Sequence, residues 1–177
     1  LRSAGRAALG VEVLVMDKDD NELPRGEVGE ICARGPNVML GYWGMEQASA
    51  ETLRNGWLHT GDLGYMDDDG FVFIVDRAKD MIISGGENIF SVEVEGAIYS
   101  HPAVQECAVI GIPHQEWGEM VHAIVVLREG QTLSEKELME HGRAMIAAYK
   151  LLRSINFRKE TLPDRTRTRI KCSQRCT

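Results

Sequence analysis

Three short segments of the sequence carry residue types that could do chemistry. In "WLHTGD", Asp62 follows Gly61 between two apolar segments. A carboxylate at such a turn can accept hydrogen bonds from two adjacent hydroxyls, such as those of a ribose. An aspartate that only caps a turn has the same local sequence. The residues alone therefore leave a turn cap and a ligand contact open.

The second segment, "DRAKDMIISGGEN", combines a guanidinium with a pair of glycines. Arg77 is flanked by Asp76 and Lys79, and its planar fork of donors suits hydroxyl or phosphate oxygens. Gly85 and Gly86 permit positive φ and a close approach of the backbone to a narrow ligand. No Gly-Lys-Ser/Thr follows, so this is not a Walker loop. Local physics favours a hairpin turn over a ligand loop.

The third segment is the basic tail "RTRTRIK", in a chain of 177 residues with a net charge of -7. It could be a solvated strand or a phosphate contact. The negative net charge argues against general binding to nucleic acid or anionic membranes, which requires a positive field. No aromatic side chain accompanies the arginines to stack on bases. We therefore expect no nucleic-acid partner.

The elements that would position these segments follow from alternation and turn signals. Strand patterns occur in "VEVLVMD", "EICARG", "LHTGDLGYM" and "FVFIVD", and their β-branched content predicts an antiparallel first part. A short helix is predicted around residues 46–53. The turn "DDDG" predicts a hairpin.

After Asp76 the pattern changes to alternating helices and strands. "SVEVEGAIYSHPAV" predicts a helix capped by Ser91, and "QECAVIGIP", "EMVHAIVVLREG" and "RSINFRKE" predict strands. "SEKELMEHGRAMIAAYK" predicts a helix with a capping box of Ser134 and Glu137. Its predicted apolar face consists of Leu138, Met145, Ile146 and Tyr149. We therefore predict an α+β fold in two parts, a β-rich part of residues 1–78 and a compact α+β domain of residues 79–177.

Composition sets further limits. The longest apolar runs, "FVFIV" and "AIVVL", are strand-sized, so no membrane span is expected. The four cysteines form no CxxC pair, which is typical of free thiols in a reducing compartment, and we expect a cytoplasmic location. Cys172 and Cys176 lack the partners of a zinc site, and Tyr65 stands where an EF-hand needs an oxygen ligand. No metal site is therefore predicted.

Taken together, these segments indicate a protein family far more specifically than any one of them does alone. The order "GEVGEICARGPNVMLGYW", "GWLHTGDLGYMDDDGFVFIVDRAKDMIISGGENIF" and "VEVEGAIYSHPAVQECAVIGIPHQEWGE" resembles the adenylate-forming superfamily, and most of all its acyl- and aryl-acid–CoA ligases. The resemblance reaches about Pro163. It implies that residues 1–78 are the C-terminal β-rich part of a large AMP-binding domain. Residues 79–177 would be the small C-terminal lid. Within it, residues 164–177 have no periodicity and no apolar face, which leaves a disordered or out-of-frame tail open.

The resemblance also implies roles for individual residues. Asp62 and Arg77 would contact the ribose of ATP and of the acyl-adenylate. Lys79 and Asp80 would lie at the hinge between the domains. The loop that lines the pantetheine tunnel would comprise Ser84, Gly85, Gly86 and Glu87.

The implied reaction has two halves and uses ATP, Mg²⁺ and CoA with a small fatty or aryl carboxylic acid. The acid attacks the α-phosphate of Mg-ATP and releases pyrophosphate. The lid then rotates, and the CoA thiolate attacks the acyl-adenylate and releases AMP. No cofactor is expected to stay tightly bound to this chain.

The tail departs from the family pattern. Counting from Pro163, Arg169 stands where the family has a lysine that reaches the acid and the α-phosphate, and Lys171 comes two places late. The tail is then a natural arginine replacement, a degenerate catalytic segment or the product of a shifted reading frame. Arg169 is accordingly the only candidate catalytic residue.

The family's phosphate-gripping loop, which ends in lysine, does not occur in this sequence. We therefore expect the chain to be the C-terminal third of a ligase that cannot adenylate an acid alone. An alternative is a stand-alone, non-catalytic, lid-like binding domain, and a third option is a peptide-synthetase-type adenylation domain. A truncated domain edge would expose apolar surface, so self-association is also expected.

Overall fold

The computed structural model describes residues 2–162. Its internal contacts divide the chain into two compact units, Leu1–Lys79 and Asp80–Thr177, which we call unit 1 and unit 2. The division follows Lys79, one residue after the boundary that the sequence predicts. The fold is α+β and mostly antiparallel, so the predicted fold class is confirmed.

Unit 1 is a four-stranded antiparallel meander with the strand order β1-β2-β3-β4. A small core of four buried side chains lies on one face of the sheet, and consists of Val15, Ile31, Met66 and Val72. The elements of unit 1 are β1 (Glu12–Met16), β2 (Gly29–Arg34), α1 (Glu46–Thr52), β3 (Leu58–Met66) and β4 (Val72–Arg77).

Unit 2 is a five-stranded sheet with the order β6-β5-β8-β7, and β9 pairs with β8 in parallel. Its larger core includes Val94 and Ile98 of one helix and Leu138 of another, packed on the apolar faces of β7 and β8. Its strands are β5 (Ile82–Ser84), β6 (Glu87–Ile89), β7 (Val104–His114), β8 (Gly118–Leu127) and β9 (Ser154–Arg158). Its helices are α2 (Ser91–Tyr99) and α3 (Glu135–Arg143), followed by a 3₁₀ turn (Ala148–Lys150).

The predicted cap of α2 is wrong by one residue. Phe90, with an extended backbone, is the N-cap, and Ser91 is the first residue inside the helix. The reason is the buried face of α2, since Ser91 is fully buried together with Val94 and Ile98. Positions three and seven residues apart share one face of a helix, so burying that face places Ser91 inside.

The predicted length of α3 is also wrong. The helix ends at Arg143 instead of continuing to Lys150, and hydrogen bonds of the i→i−3 type close its last turn. Gly142 is a poor helix former and lies in this last turn. Met145 and Tyr149 are consequently about half exposed, whereas Ile146 still packs against the core.

Within residues 2–162, no helix has the length and apolar character that crossing a bilayer requires.

The capping box of α3 is confirmed, and it yields a stability prediction. Ser134 accepts from the Glu137 N–H, and the Glu137 carboxylate accepts from the Ser134 N–H and hydroxyl. Ser134→Ala should lower the free energy of unfolding of unit 2 by about 1 kcal/mol. Urea unfolding at pH 7 followed by circular dichroism measures this change. Thr132→Ala, an exposed position two residues earlier, is the matched control.

The same pair predicts a pH dependence. Hydrogen bonds from Ser134 hold the pKa of Glu137 below its ordinary value of 4.5. Because the pKa of Glu137 is lower in the folded chain than in the unfolded chain, its ionised form stabilises the fold at pH values above the unfolded-state pKa. That stabilisation is lost as the pH falls through the folded-state pKa. The difference between Ser134→Ala and the parent chain should therefore shrink below pH 4.5. A difference that stays constant into acid would contradict the capping role of Glu137.

Candidate functional site

The "TGD" segment forms a β-bulge in β3. Glu30 of β2 pairs with Leu63 of β3, and two residues further along β2, Cys32 pairs with His59. Residues 60–62 of β3 therefore lie opposite a single residue of β2. Gly61 has φ of +73°, a left-handed backbone conformation that glycine adopts without steric cost.

Hydrogen bonds fix the backbone around the bulge. The Thr60 hydroxyl donates to the carbonyl of Ile31 over 2.7 Å and accepts from the Asp62 N–H over 3.1 Å. The carbonyl of Gly61 accepts from the Ala78 N–H over 2.9 Å. The residue before Asp62 and the N–H of Asp62 itself are thus both tied to neighbouring groups.

Asp62 and Arg77 are brought together across β3 and β4. They are direct cross-strand partners, and Nε of Arg77 lies 3.3 Å from Oδ1 of Asp62. Their side chains are 33% and 60% exposed, respectively, so the pair contributes at most about 1 kcal/mol to folding. The backbone N–H of Arg77 donates to the buried carboxylate of Asp76, which fixes the base of the Arg77 side chain. The pair is therefore well placed but still accessible to a ligand.

The glycine pair forms a hairpin, as local physics predicts. Ser84 of β5 pairs with Glu87 of β6, and Gly85 and Gly86 between them have φ of +61° and +84°. Two positive φ values in a two-residue loop are the pattern of a type I′ turn. No described heavy atom would lie within 4 Å of a Cβ built on either glycine. The tip of the hairpin is thus narrow and open within unit 2.

Two residues that the sequence analysis did not single out support this hairpin. The Gly85 N–H donates to the carbonyl of Trp117 over 3.0 Å, and the Ile83 N–H donates to the Glu119 carboxylate over 2.9 Å. The Trp117 ring stacks on His114, with ring centroids 4.5 Å apart. The "HQEWGE" stretch was the available signal, because it places an aromatic side chain and a carboxylate on either side of a glycine turn.

The remaining predicted site residues are Lys79, Asp80 and Arg169. Lys79 and Asp80 lie in the turn that follows β4, and the boundary between the two units falls between them. Their hinge role stays a prediction. Arg169 lies outside the described residues, so its catalytic role also stays a prediction.

A third group of titratable side chains lies beside the bulge. The nearest ligand atoms of Glu30, Cys32 and His59 lie within 4.8 Å of one another, a spacing that could surround a cation. Burial, aided by the negative charge of Glu30, raises the pKa of Cys32 to about 12. The thiol is therefore protonated near neutral pH, whereas metal binding requires the thiolate.

Comparison with known proteins agrees with the order of motifs. Residues 93–169 match the family described as AMP-binding enzyme C-terminal domain, and residues 1–43 match the AMP-binding enzyme family. A feruloyl-CoA synthase of Amycolatopsis is 47% identical over 155 residues, which cover 88% of this chain and 32% of that protein. A long-chain-fatty-acid–CoA ligase of Escherichia coli is 44% identical over 158 residues, which cover 89% of this chain and 28% of that protein.

Part of the solved structure of ATP-bound MatB from Rhodopseudomonas palustris has the same fold. It aligns with a TM-score of 0.84 and 39% identity, over 89% of this chain and 32% of that one. The chain thus spans about a third of the length of the relatives it matches. With these relatives, the motif order and the two matched families, the chain belongs to the adenylate-forming superfamily of AMP-binding enzymes.

Proposed function

We propose that the chain works as the C-terminal part of an acid–CoA ligase. The enzyme would activate a carboxylic acid with ATP to an acyl-adenylate and transfer the acyl group to CoA. The Asp62–Arg77 pair carries this proposal, because it offers accessible acceptors and donors 3.3 Å apart on adjacent strands. The names of two relatives, a feruloyl-CoA synthase and a long-chain-fatty-acid–CoA ligase, support CoA as the acyl acceptor.

Asp62 and Arg77 have the chemistry of a ribose contact. The two carboxylate oxygens of Asp62 accept hydrogen bonds from vicinal hydroxyls, and Arg77 donates to a hydroxyl oxygen. The tied backbone of the bulge and the buried Asp76 reduce the freedom that the two side chains lose on binding. The same contact serves ATP and the acyl-adenylate, because both carry this ribose.

The hairpin of Ser84–Glu87 suits the pantetheine arm of CoA. Its tip has no side chains, and its two glycines have open space beside them among the described residues. A thin, extended ligand can approach the backbone only where no Cβ intervenes. The Trp117 carbonyl accepts from the Gly85 N–H in the turn, and the Glu119 carboxylate accepts from the Ile83 N–H of β5, so the tip is fixed in place within unit 2.

In the first half-reaction, an oxygen of the acid attacks the α-phosphorus of Mg-ATP, and pyrophosphate leaves. In the second, the CoA thiolate attacks the acyl carbonyl, and AMP leaves. We propose Lys79 and Asp80 as the hinge that lets unit 2 serve both steps, and Arg169 as the cation of the first step. Mg²⁺ would neutralise phosphate charge as the nucleotide binds.

The substrate is proposed as a fatty or aryl carboxylic acid, since the relatives include a feruloyl-CoA synthase and a long-chain-fatty-acid–CoA ligase.

Self-association also stays a prediction. Its observed basis is apolar surface on unit 1, where the side chains of Leu40 and Trp43 are fully exposed.

The first test joins this chain to the remaining two thirds of the Amycolatopsis feruloyl-CoA synthase as a chimaera. The chimaera should form feruloyl-CoA from ferulate, ATP and CoA, detected by absorbance and mass spectrometry. The 177-residue chain alone should show no acid-dependent ATP–pyrophosphate exchange. Supplying feruloyl-adenylate to the chimaera tests the second half-reaction separately from Arg169. A folded chimaera that fails to make the thioester from feruloyl-adenylate would contradict the proposal.

The second test concerns the ribose contact. Asp62→Asn in the chimaera should raise the KM for ATP by about tenfold or more, because one charged acceptor becomes a donor that faces a hydroxyl. The control is Asp68→Asn, which alters an exposed aspartate in the β3–β4 turn. Both variants should keep the parent's melting temperature. An unchanged KM in Asp62→Asn would remove Asp62 from the nucleotide site.

The third test separates the two half-reactions at the hairpin. Gly85→Asn keeps the type I′ turn, which favours asparagine at its first position, but places a side chain at the tip. It should slow thioester formation by about tenfold or more while pyrophosphate exchange is unchanged. Gly130→Asn makes the same substitution at another glycine of positive φ with open space. Equal slowing by both variants would argue against a CoA contact at residues 84–87.

A further inference from the structure

The carboxylate of Glu30 ties both sides of the β3 bulge to β2. Oε1 accepts from the Gly61 N–H over 2.9 Å, and Oε2 lies 2.9 Å from Nδ1 of His59. These two partners are separated in the chain only by Thr60. One side chain thus fixes the residues that immediately precede Asp62.

A second layer of charged groups surrounds the same carboxylate. Nη2 of Arg54 lies 3.4 Å from Oε2 of Glu30 and 3.3 Å from Oδ1 of Asp20. Asp20 accepts from the Asn55 amide over 2.6 Å, and this hydrogen bond, together with Arg54, lowers the pKa of Asp20. Arg54 therefore joins two carboxylates and contacts the same Glu30 oxygen, Oε2, that lies against His59.

The imidazole of His59 lies between these two carboxylates. Its side chain is 3% exposed, and Nε2 lies 3.7 Å from Oδ1 of Asp20. No hydrogen-bond partner for Nε2 occurs within residues 2–162. Since an ionised carboxylate only accepts hydrogen bonds, the contact with Glu30 requires a proton on Nδ1.

The arrangement gathers two carboxylates, a guanidinium and an imidazole beside the bulge. The proposed half-reactions use neither Glu30 nor His59. What the arrangement does achieve is geometric, because the bulge cannot slide into regular pairing while the carboxylate bridges Gly61 and His59.

We propose that Glu30 is a positioning residue for Asp62. Its carboxylate bridges the Gly61 N–H and the His59 ring, so that the bulge presents the Asp62 side chain at a fixed position for the ribose. The inference rests on the proposed function, because it assigns Asp62 a nucleotide ligand. The bridge itself is independent of that function and can be measured without any substrate.

An alternative interpretation of this cluster is that Glu30, Cys32 and His59 bind a divalent cation. The protonated thiol of Cys32 and the guanidinium of Arg54 both oppose it, because each would have to be displaced or deprotonated. The Gly61 N–H already uses the second oxygen of Glu30. The geometry therefore favours the hydrogen-bonded bridge.

The first experiment measures amide hydrogen exchange in the 177-residue chain by NMR. Glu30→Ala should speed exchange at Gly61 by about tenfold or more, as expected for loss of a hydrogen bond to a charged acceptor. Glu30→Gln retains one amide oxygen and should speed it less. Glu12→Ala removes a carboxylate from an exposed ion pair of the same sheet and should have no effect at Gly61. Unchanged exchange at Gly61 in both Glu30 variants overturns the inference.

The second experiment measures KM for ATP and kcat in the chimaera. Glu30→Ala should raise the KM for ATP towards that of Asp62→Asn, and the double variant should be little worse than either single one. A rise in Asp62→Asn without a rise in Glu30→Ala overturns the positioning role. If Asp62→Asn itself has no effect, the proposed function fails at this site, and faster exchange at Gly61 still establishes the bridge.

The third experiment tests the cation. Cobalt(II) is added to the chain in which Cys172 and Cys176 are replaced by serine, so that the tail contributes no thiolate. We expect no thiolate charge-transfer band. A one-equivalent band that is lost in Cys32→Ser but kept in Cys107→Ser overturns the bridge in favour of a metal site.

Discussion

The candidate nucleotide site depends on one constraint. The extra residues of β3 leave the regular strand pairing, yet their backbone polar groups must still form hydrogen bonds. A bulge exposes backbone N–H and carbonyl groups that the neighbouring strand no longer pairs. Here the Thr60 hydroxyl, the Glu30 carboxylate and the Ala78 N–H satisfy them. Because these groups come from β2, from β3 and from the turn that follows β4, the position of Asp62 depends on neighbours on both sides of β3.

The two candidate sites hold their ligand-contacting groups in place by different means. Asp62 and Arg77 carry charges, and they are oriented by tied backbone on adjacent strands. The hairpin tip carries no side chain, and its glycines are oriented by turn geometry and by anchored strands. A polar ribose needs fixed donors and acceptors, whereas a thin thiol-bearing arm needs clearance. Each unit thus contributes a site whose design matches the chemistry proposed for it.

Local signals in the sequence predicted most of the fold, and long-range geometry accounts for what they did not predict. The Gly85-Gly86 hairpin and the capping box at Ser134 depend on neighbouring residues, so both predictions are confirmed. The cap of α2 and the end of α3 depend on which faces become buried, and both predictions were wrong. Asp62 and Arg77 were recognised from motifs, but their cross-strand pairing needed the strand register. The bridge by Glu30 was missed for the same reason, since 31 residues separate it from Gly61.

Each unit also contains a single described cysteine in its interior, Cys32 in unit 1 and Cys107 in unit 2. Alkylating reagents react with thiolates that solvent can reach, so neither side chain reacts until the structure around it opens. The rates of labelling at the two positions would consequently report the opening rate of each unit separately. The molecule thus carries two built-in probes that can reveal whether its halves lose structure together or in sequence.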